Sequence, residues 1–308
     1  MSSSTASTDH DSALSRRTPE PSLRAWRTVW IVAALTVQEA VRKRVVWALL
    51  GLSIVLLALS AWGFSQLSGM STSYGQLTSA ESRVFASQLL NLVMFGMSMI
   101  VALGTAFLAG PTLGGELESG VALALFARPV RRWQVLLGKW AGLVFFGSVY
   151  MAVVGLSQFL VVKMTVSYWP PHPWEALLLL AGETTVLLTL ALLLSSLISP
   201  LASGITAVGL FGATWVAGVV GTIGIALDNE RLVRIATVTQ VLLPTDGLWQ
   251  GAMHAIQDTA SLTVLGQAMR GSPFLSTRAP SPLYLVWAVV WTALVWLLSA
   301  LSVQRRDL

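Results

Sequence analysis

Few residues in this chain are placed to do covalent chemistry. Cysteine is absent, and the three histidines, His10, His172 and His254, are scattered along the sequence. No disulfide, thiolate metal site or cysteine nucleophile can form. No HExxH, paired-aspartate or Gly-x-Ser-x-Gly pattern occurs, so no catalytic residue and no metal ligand is assigned. A phosphate loop is missing too, because Gly138-Lys139 lacks the upstream glycine and the following Ser or Thr. Any use of ATP would then fall to another subunit. What remains is charge in unusual places. Glu183 is the one carboxylate well inside an apolar run. Acids at that depth are costly and often mark substrate or proton pathways. A structural role also fits, with Thr184, Thr185 and Thr189 close by as hydrogen-bonding partners.

A second concentration of charge lies in residues 114–139, GGELESGVALALFARPVRRWQVLLGK. It joins Glu116 and Glu118 to a basic cluster of Arg128, Arg131, Arg132 and Lys139. Leu117, Val121 and Leu125 recur every four positions, so a helix would set them on one stripe. Pro129 ends that helix near Arg128 by removing a donor and disfavouring the helical region at the residue before it. A short polar-faced helix pinned between two spans reads as a docking element rather than a pocket.

The elements that must position these residues follow from composition. The chain has 308 residues, 55% of them hydrophobic and 11% charged, with mean hydropathy +0.71. Soluble domains carry about 25% charged residues, so an all-α integral membrane protein is expected. The net charge of +5 is then a matter of topology and not a sign of nucleic-acid binding. Residues 1–22 read as a disordered cytoplasmic tail, rich in Ser, Thr and Pro. Residues 23–44 read as an interfacial helix, since Val29–Val37 is shorter than the roughly 20 residues a span needs. Six runs are long enough to cross, at about 45–64, 87–110, 140–161, 176–198, 201–227 and 283–303. Residues 228–282 form an outer segment holding two short interfacial helices separated by Pro244. Thirteen of the nineteen Lys and Arg fall on one side of this arrangement and six on the other. That bias puts both termini and the 114–139 loop in the cytoplasm. Gly209, Ala213, Ala217 and Gly221 make a small-residue stripe on the fifth span. Such a face admits close helix approach, either within the chain or against a second copy.

Glu116-x-Glu118-x-Gly120, Ala127-Arg128-Pro129-Val130-x-Arg132 and Leu136-Leu137-Gly138-Lys139 together resemble the cytoplasmic signature loop of type-2 ABC exporter permeases. Three further places agree. Gln38-Glu39-Ala40-x-Arg42-x-Arg44 resembles the exit of the family's elbow helix, Leu243 to Trp249 its outer Pro-x-Asp segment, and Arg305-Arg306-Asp307-Leu308 its ending. Val121 stands where the family usually has Thr, and Arg131-Arg132 where it has Ser/Thr-Arg. Within the family, the resemblance is to the group serving copper-enzyme maturation (NosY-like).

The resemblance implies a fold of six transmembrane helices with an N-terminal elbow helix and a cytoplasmic coupling helix between spans two and three. It implies a permease subunit that forms the pathway of an exporter in a prokaryotic inner membrane, multi-pass, with a second permease copy or homologue beside it. Two copies of an ABC ATPase subunit would hold the ATP and Mg, this chain holding no cofactor. The coupling helix, about Gly115 to Ala127, would rest in an ATPase cleft, with Glu116, Leu117, Glu118, Gly120, Arg128, Pro129 and Arg132 as docking residues. The basic residues also suit lipid phosphates, at about 1 kcal/mol each on an anionic leaflet. The competing expectation is an ATP-independent secondary transporter using Glu183.

Overall fold

A segment that crosses hydrocarbon has to satisfy its own backbone, and an α-helix does so within one stretch of chain. The computed structural model describes residues 21–67, 71–72, 75–76, 79–118, 132–258, 274, 276 and 279–305. Among these residues nine helices follow one another: α1 (Pro21–Arg42), α2 (Arg44–Leu67), α3 (Ser79–Glu118), α4 (Arg132–Val166), α5 (Pro173–Ser195), α6 (Pro200–Ala226), α7 (Glu230–Leu242), α8 (Thr245–Ile256) and α9 (Pro282–Arg305). A two-residue antiparallel pair, β1 (Ser71–Thr72) with β2 (Gly75–Gln76), lies between α2 and α3.

Six stretches are long and apolar enough to cross a membrane: Arg44–Gln66, Val84–Thr112, Arg132–Val166, Pro173–Ser195, Pro200–Ala226 and Pro282–Gln304. They belong to α2, α3, α4, α5, α6 and α9. The helix starts are set locally. Pro173 and Pro200 occupy first-turn positions of α5 and α6, where a missing N–H costs nothing. Lys43 interrupts the helix between α1 and α2.

The spans in α3 and α5 are 67% and 61% buried, against 22% to 33% for the other four, so these two form the axis of the bundle. Towards the end that holds α8, Met94, Phe159, Leu180, Trp249 and Ile256 share one apolar core. Towards the opposite end, Ala106, Leu136, Leu143, Leu187 and Phe211 share another. Outward-facing Ile54, Trp62, Phe145, Leu178 and Val289 are exposed, as lipid-facing side chains must be.

Two expectations need correcting here. The outer segment does hold two helices on either side of Pro244, but they are not both surface elements. α8 lies inside the bundle against α5, with Trp249, Ala252 and Ile256 buried. Leu248, Trp249, Ala252, Met253 and Ile256 share one face of this helix, and that face is turned into the bundle core rather than towards the membrane surface. The coupling helix does not begin as a separate element near Gly115, because α3 continues without a break from the second span through Glu118. Residues 119–131, including Gly120, Arg128, Pro129 and Arg131, lie outside the described residues.

Candidate functional site

At the end of the bundle where α3 runs on to Glu118, the site is built on α1, α3 and α4. Among the described residues, the broadest helix contact joins α1 to α4. Gly138 and Gly142 make it possible. A Cβ at Gly138 would stand 2.8 Å from Val29 O, and one at Gly142 2.6 Å from Ala33 O. Both atoms belong to the α1 backbone and cannot swing aside. The Gly-x3-Gly spacing at 138–142 is a readable signal for this contact.

Between the same helices lies a group of charged side chains. Lys139 is 5% exposed, and its Nζ donates to Thr112 O at 2.7 Å. Lys43 Nζ donates to Thr112 Oγ1 at 3.3 Å and pairs with Glu39 at 2.9 Å. Thr112 Oγ1 in turn donates to Leu108 O. Arg132, at the start of α4, donates through Nη1 to Val303 O of α9 at 3.3 Å. Glu116, Leu117 and Glu118 continue the helical backbone of α3 just beyond Thr112.

In the bundle interior Glu183 is buried on α5, and its carboxylate accepts a hydrogen bond from Ser98 of α3 at 2.9 Å. The threonines expected to partner it do not. Thr184, Thr185 and Thr189 donate to the carbonyls of Leu180, Ala181 and Thr185, each four residues back. Within a helix that carbonyl is the nearest acceptor, which is why adjacency in sequence misled. A different signal was present. Asn91, Ser98, Thr105 and Thr112 repeat every seven residues on α3, and all four are buried. That stripe faces the bundle interior and marks where α3 meets polar partners.

At the opposite end of the bundle Asp246 of α8 is 4% exposed. Its Oδ2 accepts from Gln240 Nε2 and Gln250 Nε2, both at 2.7 Å. Burial holds its carboxyl up at about 6, above the usual carboxylate range, while the two amides pull the other way. Gly218 of α6 makes room for this carboxylate, since a Cβ there would fall on its oxygens. Thr245 and Thr214 share a hydrogen bond at 2.9 Å beside it. The last carbonyls of a helix lack intrahelical donors, and here α9 supplies them. Tyr284 donates to Gln240 O at 3.3 Å, Trp287 to Val241 O at 2.9 Å and Trp291 to Leu242 O at 2.8 Å. None of these partners was visible in sequence.

The small-residue stripe of α6 divides between two surroundings. Gly221 lies against Ala236 of α7, whereas Gly209 and Ala213 are exposed and Ala217 is half-buried. The face of α6 that meets the bundle is made of Ser203, Gly204, Ala207, Phe211, Thr214 and Gly218. Among the described residues, no group of three or more His, Cys, Asp or Glu could hold a metal ion.

No curated protein matches the chain significantly. A family model described as ABC-2 family transporter protein matches residues 30–308, which takes in every span, the whole 114–139 loop and the outer helix pair. With that match covering most of its length, the chain is a multi-pass membrane protein of the ABC-2 transporter family.

Proposed function

We propose that this protein is the permease subunit of an ABC exporter, forming the translocation pathway and docking a separate ATPase through the 114–139 loop. The observation that carries the reading is the family match over residues 30–308, taken with a sequence that has no phosphate loop of its own. ATP and Mg bind to two copies of the partner ATPase. A second permease copy or homologue completes the pathway. The membrane is the prokaryotic inner membrane, with both termini cytoplasmic, because thirteen of nineteen basic residues fall on that side. In this reading α1 is the elbow helix. It exposes Trp26, Trp30, Ile31 and Leu35 to the headgroup region and buries Val29, Thr36 and Ala40 against its neighbours. Glu116, Leu117, Glu118, Gly120, Arg128, Pro129 and Arg132 meet the ATPase, and ATP-driven closure moves the loop to switch access. The copper-maturation (NosY-like) group is the subfamily proposed on the loop residues alone.

The test is affinity purification in mild detergent followed by mass spectrometry of what accompanies the chain. An ATPase subunit carrying a phosphate loop is expected with the wild type and lost when Glu116 and Glu118 are both reversed to Lys. A chain recovered alone, moving solute on a proton gradient that Glu183→Gln abolishes, would replace this reading with the secondary transporter.

A further inference from the structure

The cytoplasmic ends of three helices meet on one threonine. Thr112 stands on α3 one helical turn before Glu116, and residues 119–131 begin just after α3 ends. Lys139 reaches its carbonyl from α4, the helix that begins where those residues finish. Lys43 reaches its hydroxyl from the junction of α1 and α2, with Glu39 balancing its charge from α1. A lysine that only snorkels sends its ammonium to water. Lys139 does the opposite, burying its head between helices on a hydrogen-bonding acceptor. Burying an ammonium is costly without such partners, so the arrangement constrains all three helices at once. The Gly138 and Gly142 contacts add a second constraint, fixing α1 on α4 through backbone.

We infer that Lys139 and Lys43, converging on Thr112, clamp α1, α3 and α4 into one lever at the base of the 119–131 segment. Displacement of that segment is then delivered to the membrane-surface helix and to the second and third spans together, and not to one span alone. Lys139 is a positioning residue in this account: it acts through Thr112 and touches neither nucleotide nor cargo. The transmission role rests on the permease reading above, whereas the clamp itself does not.

The chain has no cysteine, so Ala34→Cys on α1 and Leu103→Cys on α3 provide one pair of spin-label sites, both exposed and outside the clamp. Labelled chain is diluted with unlabelled chain in liposomes, so that only distances within one chain are read. Without any ATPase, a narrow distance distribution is expected for the wild-type background, and a clearly broader one for Lys139→Met. Thr112→Val, which keeps the carbonyl for Lys139 and removes only the acceptor of Lys43, gives intermediate broadening and serves if Lys139→Met does not fold. Distributions of equal width in wild type and Thr112→Val overturn the clamp.

In the complex with its ATPase, the wild-type distance stays unchanged on ATP trapping, while a second pair at the outer ends of α4 and α9, Met164→Cys with Leu283→Cys, changes. Lys139→Met loses that outer change while ATP hydrolysis stays within about twofold of wild type, and Lys139→Arg restores it. An outer change of wild-type size in Lys139→Met overturns the transmission role. Failure of the wild-type chain to retain any ATPase overturns the permease reading instead, and leaves the liposome result to decide the clamp.

Discussion

The two ends of this bundle are held together by opposite chemistry. At the end that carries residues 114–118, here the inner end, two ammonium groups converge on Thr112 and α1 is fixed on α4 by backbone contact at Gly138 and Gly142. At the outer end a buried carboxylate, Asp246, is held by two neutral amides, and indole and phenol donors of α9 close the end of α7. The inner end carries basic residues of a kind that suits an anionic leaflet. The outer end carries an acid with no cation among its hydrogen-bond partners. The inner junction is therefore one of position, fixed by buried ammonium groups and backbone contact, and the outer junction is one of a buried acid.

The largest effect expected from breaking this contrast is at the inner end. Gly142→Leu forces a branched side chain against the Ala33 carbonyl and should cost roughly 3 kcal/mol by overpacking against backbone. It should appear as a strong loss of monodisperse protein in detergent. A stable, wild-type-like preparation would mean that α1 is not seated on α4. At the outer end, Asp246→Ala leaves the Gln240 and Gln250 amides without their acceptor and should cost about 2 kcal/mol in thermal unfolding at neutral pH.

The pH dependence sharpens the comparison further. A carboxyl raised to about 6 in the folded protein, and near 4 in the unfolded chain, binds more protons folded than unfolded between those values. Its contribution therefore favours the folded state increasingly as pH falls from about 6 towards 4, and is lost as pH rises through 6. Asp246→Asn should flatten that part of the stability-versus-pH curve while leaving both amides a carbonyl acceptor. A slope identical to wild type would show that another group titrates. The smallest effects belong to α9. Trp287→Phe and Trp291→Phe each remove one donor from a carbonyl of α7 and should cost about 1 kcal/mol apiece, read as small shifts in the unfolding midpoint.

Glu183 sits between the two regimes. Its bond to Ser98 joins the two central spans, so Glu183→Gln should keep the bundle folded, whereas Glu183→Ala strands the Ser98 hydroxyl. If Glu183→Gln proves as damaging to folding as the alanine variant, the charge itself is structural. If it folds normally but abolishes ATP-dependent conformational change, Glu183 belongs to the pathway.

Much of this was legible in the residues. The six spans followed from apolar runs longer than a bilayer is thick, and the break at Pro244 from a residue that cannot donate. Other features left a trace that was not used: the Gly138-x3-Gly142 spacing, and the seven-residue recurrence of Asn91, Ser98, Thr105 and Thr112. The Asp246 junction left none. Its partners come from α6, α7, α8 and α9, and no local pattern distinguishes Gln240 or Gly218 from other residues of their type.

By itself the sequence determined that six of its runs are long and apolar enough to cross a membrane, where its basic residues lie, and that its 114–139 loop resembles a family's signature. Those properties depend on transfer of residues between water and hydrocarbon, which adds up along the chain and needs no knowledge of neighbours. Only the tertiary structure decided which spans are central, that α8 is buried rather than superficial, that Glu183 finds Ser98 and not its adjacent threonines, and that Lys139 and Lys43 meet on Thr112. Each of these is a contact between helices far apart in sequence, and in hydrocarbon such contacts are chosen by close packing and by the need of every buried polar group for a partner.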